Sequence, residues 1–282
     1  MSGLMNEQRG FSLVELIVVI VLTGVIGGSI MIFFKPTIDA YFDAQRRAEL
    51  TDLADTALQR ISRDVRSAVP NSIRTVGSAC FEFLPTSTGG RYRMGADIVS
   101  AVADQPLEIT QPVSAFDVLS PLSVQPAVGD WVVIGNQNTG DVYAGDTRAQ
   151  ITASAGGNAV REASLEIVAH QFPPGYDGGR FVVVPDNGGA PAVVYVCSGV
   201  GVDAAGNGTG SLRRVRRAFN GTLAACPAGG DVLATRVSAC NFIYDPNLGA
   251  TQQSGFVWLQ LELQEASERV SMAYGAHVSN VP

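Results

Sequence analysis

The densest apolar run in the chain lies near its start. Residues 11–34 read FSLVELIVVIVLTGVIGGSIMIFF, and Glu15 is the one charge among them. As a helix rising about 1.5 Å per residue, the run spans roughly 36 Å, enough for a hydrocarbon core of about 30 Å. It is too long for the apolar part of a secretory signal, and no A-x-A cleavage site follows it. The competing reading, a helix buried in a soluble core, is disfavoured because nothing N-terminal to the run could cover it.

Beyond Pro36, where a helix loses one backbone hydrogen bond, the pattern becomes amphipathic. Leu50, Leu53, Ala57, Leu58, Ile61 and Val65 recur at steps of three and four and form one stripe. Arg46, Arg47, Arg60, Arg63 and Arg66 fall largely off it, and Pro70 and Asn71 end the pattern. The stripe predicts a helix whose apolar side lies against a globular domain. Gly24 and Gly28 form a weak small-xxx-small pair for close helix packing.

From about residue 71, short apolar runs alternate with turn residues. Strands are expected over 80–84, 116–120, 131–135, 164–168, 180–184, 193–197, 211–217, 232–237, 256–263 and 269–278, the last two as a closing hairpin joined by QEASE. Asn187-Gly188, Asn207-Gly208 and Asn220-Gly221 are turn signals. The polar, Gly-rich stretch 136–163 reads as a long mobile loop. No strand–helix alternation follows residue 71, which disfavours a parallel sheet. The fold class is therefore α+β: a long N-terminal α-helix, transmembrane over 11–34 and amphipathic over 35–70, packed on an antiparallel β-rich globular domain over 71–282.

Composition narrows the function. Of 282 residues, 46% are hydrophobic and 16% charged, and the net charge is −7, which excludes a disordered chain and a generally basic nucleic-acid binder. Two histidines, His170 and His277, lie far apart and read as structural, so no metal site is expected. VDAAGNGTG (202–210) lacks the acidic ligands of a calcium loop, and Asp203 reads as a turn residue. No G-x-S-x-G, Walker loop or H-E-x-x-H is present, so neither catalytic residues nor a cofactor is expected. The acids Glu262 and Glu265 read as solvated.

Cys80, Cys197, Cys226 and Cys240 all lie in the part expected outside the cytoplasm, where disulfides persist. Four cysteines allow three connectivities. The expected one joins Cys197 to Cys226 across the arginine-rich hairpin and Cys80 to Cys240, with buried free thiols as the alternative. Arg213, Arg214, Arg216 and Arg217 form a basic cluster in an acidic chain. On a strand, Arg213 and Arg217 share a face with Val215, and Arg214 and Arg216 face the other way. The cluster is a candidate dock for an acidic partner subunit; the plainer alternative is a solvated or edge-protecting hairpin. DNA capture is disfavoured because no aromatic residues interleave with the arginines.

The residues flanking the apolar run carry the sharpest signal. MNEQRG-FSLVE puts Gly10 directly before Phe11 and Glu15 fifth from Phe11. This resembles the processing signal of type IV prepilins and type II secretion pseudopilins. The resemblance implies a leader at 1–10, cleavage between Gly10 and Phe11 by a membrane prepilin peptidase, N-methylation of Phe11, and a role for Glu15 in assembly. An acid in a membrane helix costs about 3 kcal/mol on insertion scales; only four residues inside the run, Glu15 is either tolerated cheaply near the interface or has a partner. The resemblance supplies one, the Phe11 ammonium of a neighbouring subunit. The charges Arg9 before the span and Lys35, Arg46 and Arg47 after it weakly favour the opposite orientation, but cleavage requires a cytoplasmic leader.

RRAELTDLADTALQRISRDVRSAVPNSIR, CFEFLPTSTGGRYRM and the terminal HVSNVP resemble minor pilins of mannose-sensitive haemagglutinin (MSHA) pili, with the PilW-type minor pilins and large pseudopilins as relatives. That implies a low-copy subunit that helps initiate or cap a filament. It also implies other major and minor pilins as partners, and an inner-membrane assembly platform driven by a cytoplasmic ATPase. The expected location is single-pass in the inner membrane with the globular domain in the periplasm, then the pilus at the cell surface. An adhesin-like tip pilin that binds a surface, a glycan or DNA is the reading of a different class. Exposed aromatics lining a groove would favour glycan binding.

Overall fold

The structure is a computed structural model that describes residues 10–99, 104–174, 178–219, 222–247 and 254–281. The helix α1 runs Leu13–Arg66 and is followed by β1 (Arg74–Val76), β2 (Cys80–Phe83), β3 (Thr88–Arg91), β4 (Val113–Val118) and β5 (Trp131–Val133). A short helix α2 (Asp141–Ala144) precedes β6 (Arg148–Asn158), β7 (Arg161–His170), β8 (Arg180–Val184) and β9 (Ala192–Ser198). The chain closes with β10 (Gly210–Arg217), β11 (Asp231–Asp245), β12 (Ser254–Glu265) and β13 (Glu268–Ser279). The fold is thus α+β, with a long apolar helix ahead of an antiparallel β-rich domain. The chain divides into two compact units, with the break between Glu49 and Leu50.

The first unit is helical, and its apolar side chains from Leu13 to Phe34 are exposed. By length and composition this helix can cross a membrane. Pro36 lies inside the helix without ending it. Thr23, Ser29 and Thr37 donate their hydroxyls to the carbonyls of Val19, Val25 and Phe33, at 2.7, 2.8 and 3.2 Å. Each polar side chain is therefore satisfied within the helix, as a hydrocarbon setting requires.

In the second unit, Leu50, Ala54, Ala57, Leu58, Ile61, Ser62 and Val65 of α1 are buried, and Arg60, Arg63 and Arg66 stay exposed. The buried stripe packs on a seven-stranded antiparallel sheet of order β1-β2-β9-β10-β11-β12-β13. Phe81, Phe83, Tyr195 and Phe242 fill the centre of that core, with ring centroids 5.1–6.1 Å apart. The expected closing hairpin is present: β12 and β13 pair in unbroken register from Ser254↔Ser279 to Glu265↔Glu268.

Between β2 and β9 the chain builds a second sheet of order β3-β8-β5-β6-β7-β4. Its outer strands meet. Tyr92 bridges Val118, Leu119 N–H donates to Arg91 O at 2.8 Å, and Arg93 N–H donates to Asp117 O at 3.0 Å. These bonds close the sheet into a six-stranded barrel around Phe116, Leu165, Phe172, Phe181 and Val183. The expected loop over 136–163 is corrected here, because it contains α2, all of β6 and the start of β7. Ala149 and Ile151 supply the inward side chains of β6, while the Gly156-Gly157 end of the hairpin is exposed.

Asn207-Gly208 caps the β9–β10 connection rather than forming a two-residue turn. Gly208 N–H donates to Gln264 O at 2.8 Å, Asn207 Oδ1 accepts from Ala266 N–H at 2.9 Å, and a side chain at Gly208 would collide with the Arg236 carbonyl. Asn187-Gly188 turns between strands of different sheets, with φ of 53° and 73°. Asn220-Gly221 lies outside the described residues.

Candidate functional site

At the start of α1, Ser12 precedes the first helical residue, and Glu15 is the third residue within the helix. Glu15 Oε2 accepts the Ser12 N–H at 3.4 Å, and Leu16 N–H donates to Ser12 O at 3.1 Å. This is one half of an S-x-x-E capping box, in which the acid occupies a backbone donor that no carbonyl of the helix can reach. It also holds a carboxylate where the helix dipole favours negative charge. Gly10 and Phe11 are exposed just upstream, and residues 1–9 of the expected leader lie outside the described residues. Gly24, Gly27 and Gly28 have open space where a side chain would stand. A second helix could therefore approach the α1 backbone closely on that side.

The four arginines of β10 do not form one patch. β10 lies inside the sheet, between β9 and β11, so it is not an edge. Its register sets Arg214 opposite Tyr195 and Arg217 opposite Ala192, dividing the arginines between the two faces as the alternation requires. On the helix side, Arg214 Nε donates to Asp64 Oδ2 at 3.1 Å. On the far side, Arg217 lies 3.4 Å from Glu82, which also pairs with Arg74 at 2.5 Å. Arg213 donates to Ser211 Oγ at 3.0 Å. Of the four, only Arg216 is fully exposed. Burial pushes the Glu82 carboxyl above its ordinary range, and Arg74 and Arg217 pull it only part of the way back.

The disulfides are Cys80–Cys226 and Cys197–Cys240, which corrects the expected pairing. The sheet itself decides the connectivity. Cys80 is opposite Val196 in the β2–β9 register, so Cys80 and Cys197 point to opposite faces. Cys197 and Cys240 face α1 and belong to its core. Cys80 and Cys226 pack with Val194, Val196 and Val215 on the other side. A bridge from Cys80 to Cys240 would have to pass through the sheet.

Asp203 accepts from the N–H groups of Asn207 and Ala205 at 2.8 and 2.9 Å, an Asx turn whose backbone donors hold its carboxyl below the ordinary range. His170 meets Asp146 O at 2.9 Å and the Phe172 ring. His277 meets the Phe256 ring. Glu265 pairs with Arg236 at 2.7 Å. Among the described residues, no group of three or more His, Cys, Asp or Glu is placed to hold a metal.

Three features escaped the pattern of the sequence. Asn71, Asn136 and Asn280 tie the end of the helical segment to the barrel and to the C-terminal strand: Asn71 Nδ2 donates to Asn136 O and Asn280 O at 2.9 and 3.1 Å. Asp117, fully buried, receives Arg93 at 3.1 Å and Arg161 at 2.9 Å. On the face of the C-terminal sheet away from α1, Trp258 is 41% exposed beside Phe256, with centroids 6.4 Å apart, and Ile243 is its cross-strand neighbour. Period-two alternation could have flagged the last of these; the other two depend on contacts distant in sequence.

Residues 5–31 match the family model of the prokaryotic N-terminal methylation motif. No curated protein and no solved structure matches the chain. The motif supports a type IV pilin- or pseudopilin-like subunit, and the apolar helix is compatible with anchoring in the inner membrane.

Proposed function

We propose that this chain is a minor pilin of a type IV pilus of the MSHA kind, resembling MshO. It is cut between Gly10 and Phe11 by a prepilin peptidase, methylated at Phe11, and drawn into a filament by its apolar helix. The observation that carries this reading is the methylation motif, whose residues from Leu13 onward lie on a helix with exposed side chains over 13–34. Left alone in water such a surface is costly; a bilayer first and companion helices later would cover it.

Glu15 gives the assembly step its chemistry. Cleavage creates an ammonium at Phe11. A carboxylate and an ammonium attract strongly in a low-dielectric bundle, and either one alone is costly there. The acid that caps its own helix through Ser12 would meet the ammonium of a neighbour and set the axial register. The globular part is large for a densely repeated subunit, which supports a low-copy role at initiation or at the tip. Partners would be the other pilins and the inner-membrane platform with its ATPase. The β-rich domain would face the periplasm before export.

The test is mass spectrometry of the native protein together with a Glu15→Ala variant. The mature chain should begin at methylated Phe11. The variant should remain in the membrane but be absent from sheared filaments. An intact Met1, or normal incorporation of the variant, overturns the reading.

A second reading, a tip adhesin that contacts glycans, is favoured by the exposed Trp258 and its neighbour Phe256, because aromatic faces are apolar bodies on which a sugar ring can stack. Trp258→Ala that leaves piliation normal but abolishes glycan-dependent adhesion would support it. Loss of all pili on deletion of the chain supports the assembly role instead.

A further inference from the structure

Most of the arginines on the sheets have a carboxylate. Arg74 and Arg217 share Glu82, Arg93 and Arg161 share Asp117, and Arg214 has Asp64. Arg91 and Arg180, like Arg213 and Arg216, have no carboxylate in ion-pair contact among the described residues. Arg91 and Arg180 are direct cross-strand partners on β3 and β8, both are exposed, and neither guanidinium is paired with any described residue. Like charges directly opposite in an antiparallel pair repel, so this arrangement costs stability unless something neutralises it.

The two arginines border a cavity of about 480 Å³ on the outer wall of the barrel. Val69, Val133, Val182 and Val281 make its walls apolar. Of its other polar groups, the Asn136 side chain is already committed: it donates to Pro70 O and accepts from Val142 N–H and Thr147 Oγ. Ser120 Oγ accepts the Arg91 N–H at 2.9 Å, which leaves its hydroxyl proton to donate. The uncommitted side-chain groups are thus donors, two of them cationic. The volume is that of a small-molecule site, and an apolar wall with a few convergent polar groups is its usual chemistry.

We propose that this cavity binds an organic anion, with a carboxylate or sulfonate head held between Arg91 and Arg180 and an apolar body against the four valines. Guanidinium forks match such a head bidentately. A simple inorganic anion would satisfy the arginines and leave the valine walls wet. A neutral apolar ligand would leave the cation pair unneutralised.

The test uses the full chain in lipid nanodiscs, with 4-tert-butylbenzoate as probe, 4-tert-butylbenzamide as its neutral twin, inorganic phosphate as the bare anion, and empty nanodiscs as the blank. Saturable one-to-one binding of the acid is expected by calorimetry, with the amide and phosphate each weaker by about tenfold or more, the equivalent of one full charge-assisted contact. Arg91→Gln and Arg180→Gln should each weaken the acid by about fivefold or more, and Val281→Trp, which fills the cavity, should abolish its binding. Arg269→Gln, at an exposed site on β13, should change nothing. Without ligand, Arg91→Gln should unfold at the same temperature as the parent or higher, because a repulsion has been removed. Equal binding of acid and amide, equal binding of acid and phosphate, affinity unaltered in both arginine variants, or no saturable binding overturns the proposal.

Discussion

Tyr195 Oη donates to Asp64 Oδ2 at 2.7 Å, linking β9 to the helix across 131 positions of sequence. The same oxygen receives Arg214 Nε. Burial, and then the Asp64 carboxylate, raise the Tyr195 hydroxyl well above its ordinary range, so it remains a donor at any working pH. Hydrogen bonds to charged groups contribute about 1.5–3 kcal/mol. Tyr195→Phe should therefore lower stability by that amount in urea unfolding. Combined with Asp64→Asn it should cost less than the two single changes summed, because the residues share one contact.

Asp117 holds a buried ion-pair cluster on the face of β4 opposite the barrel-core residues Phe116 and Val118. Its carboxylate is fully buried between Arg93 and Arg161 and also accepts the Gln105 N–H at 3.0 Å. Asp117→Ala strands two cations at once, and breaking a buried pair in this way costs about 3–5 kcal/mol. Hydrogen exchange should register the loss first in β4 and β7, whose pairing brackets the residue.

Cleaving the unreduced protein should release Cys80 with Cys226 and Cys197 with Cys240. The bridges span 146 and 43 positions, and each should contribute about 2–4 kcal/mol. Replacing either pair by serine should lower the unfolding midpoint accordingly. Recovery of a Cys197–Cys226 peptide would contradict the separation of the two faces.

Glu82 gives a pH signature. Its folded pKa is raised above the ordinary 4.5, so the folded chain holds this proton more tightly than the unfolded one. Its contribution to stability therefore declines as pH rises from the ordinary value through the raised one. Glu82→Gln should flatten that decline in urea midpoints measured across this interval. At neutral pH the variant should be at least as stable as the parent, because burial of the ionised Glu82 costs more than Arg74 and Arg217 return.

Much of the fold was legible because periodicity is local. The stripe from Leu50 to Val65, the run at β8 and the β12–β13 hairpin declare themselves within a few residues. β3 and β6 did not, since Gly89, Gly90, Gly156 and Gly157 carry no strand signal. In β6, Gly157 is required by its neighbours rather than by its own preference: a side chain there would collide with the Arg161 and Glu162 carbonyls across the hairpin. The processing signal was equally local. The disulfide pairing, the splitting of the β10 arginines and the Arg91–Arg180 pair all depend on which face a residue occupies in a register with distant strands, and alternation alone cannot supply that.

The barrel departs from the main sheet after Phe83 and returns at Ala192, where β2 and β9 are already neighbours, with Phe83 opposite Val193. Its two ends therefore meet within one interstrand spacing. In such a layout the whole module can be exchanged, enlarged or trimmed to a tight hairpin without re-threading the strands that carry the helix.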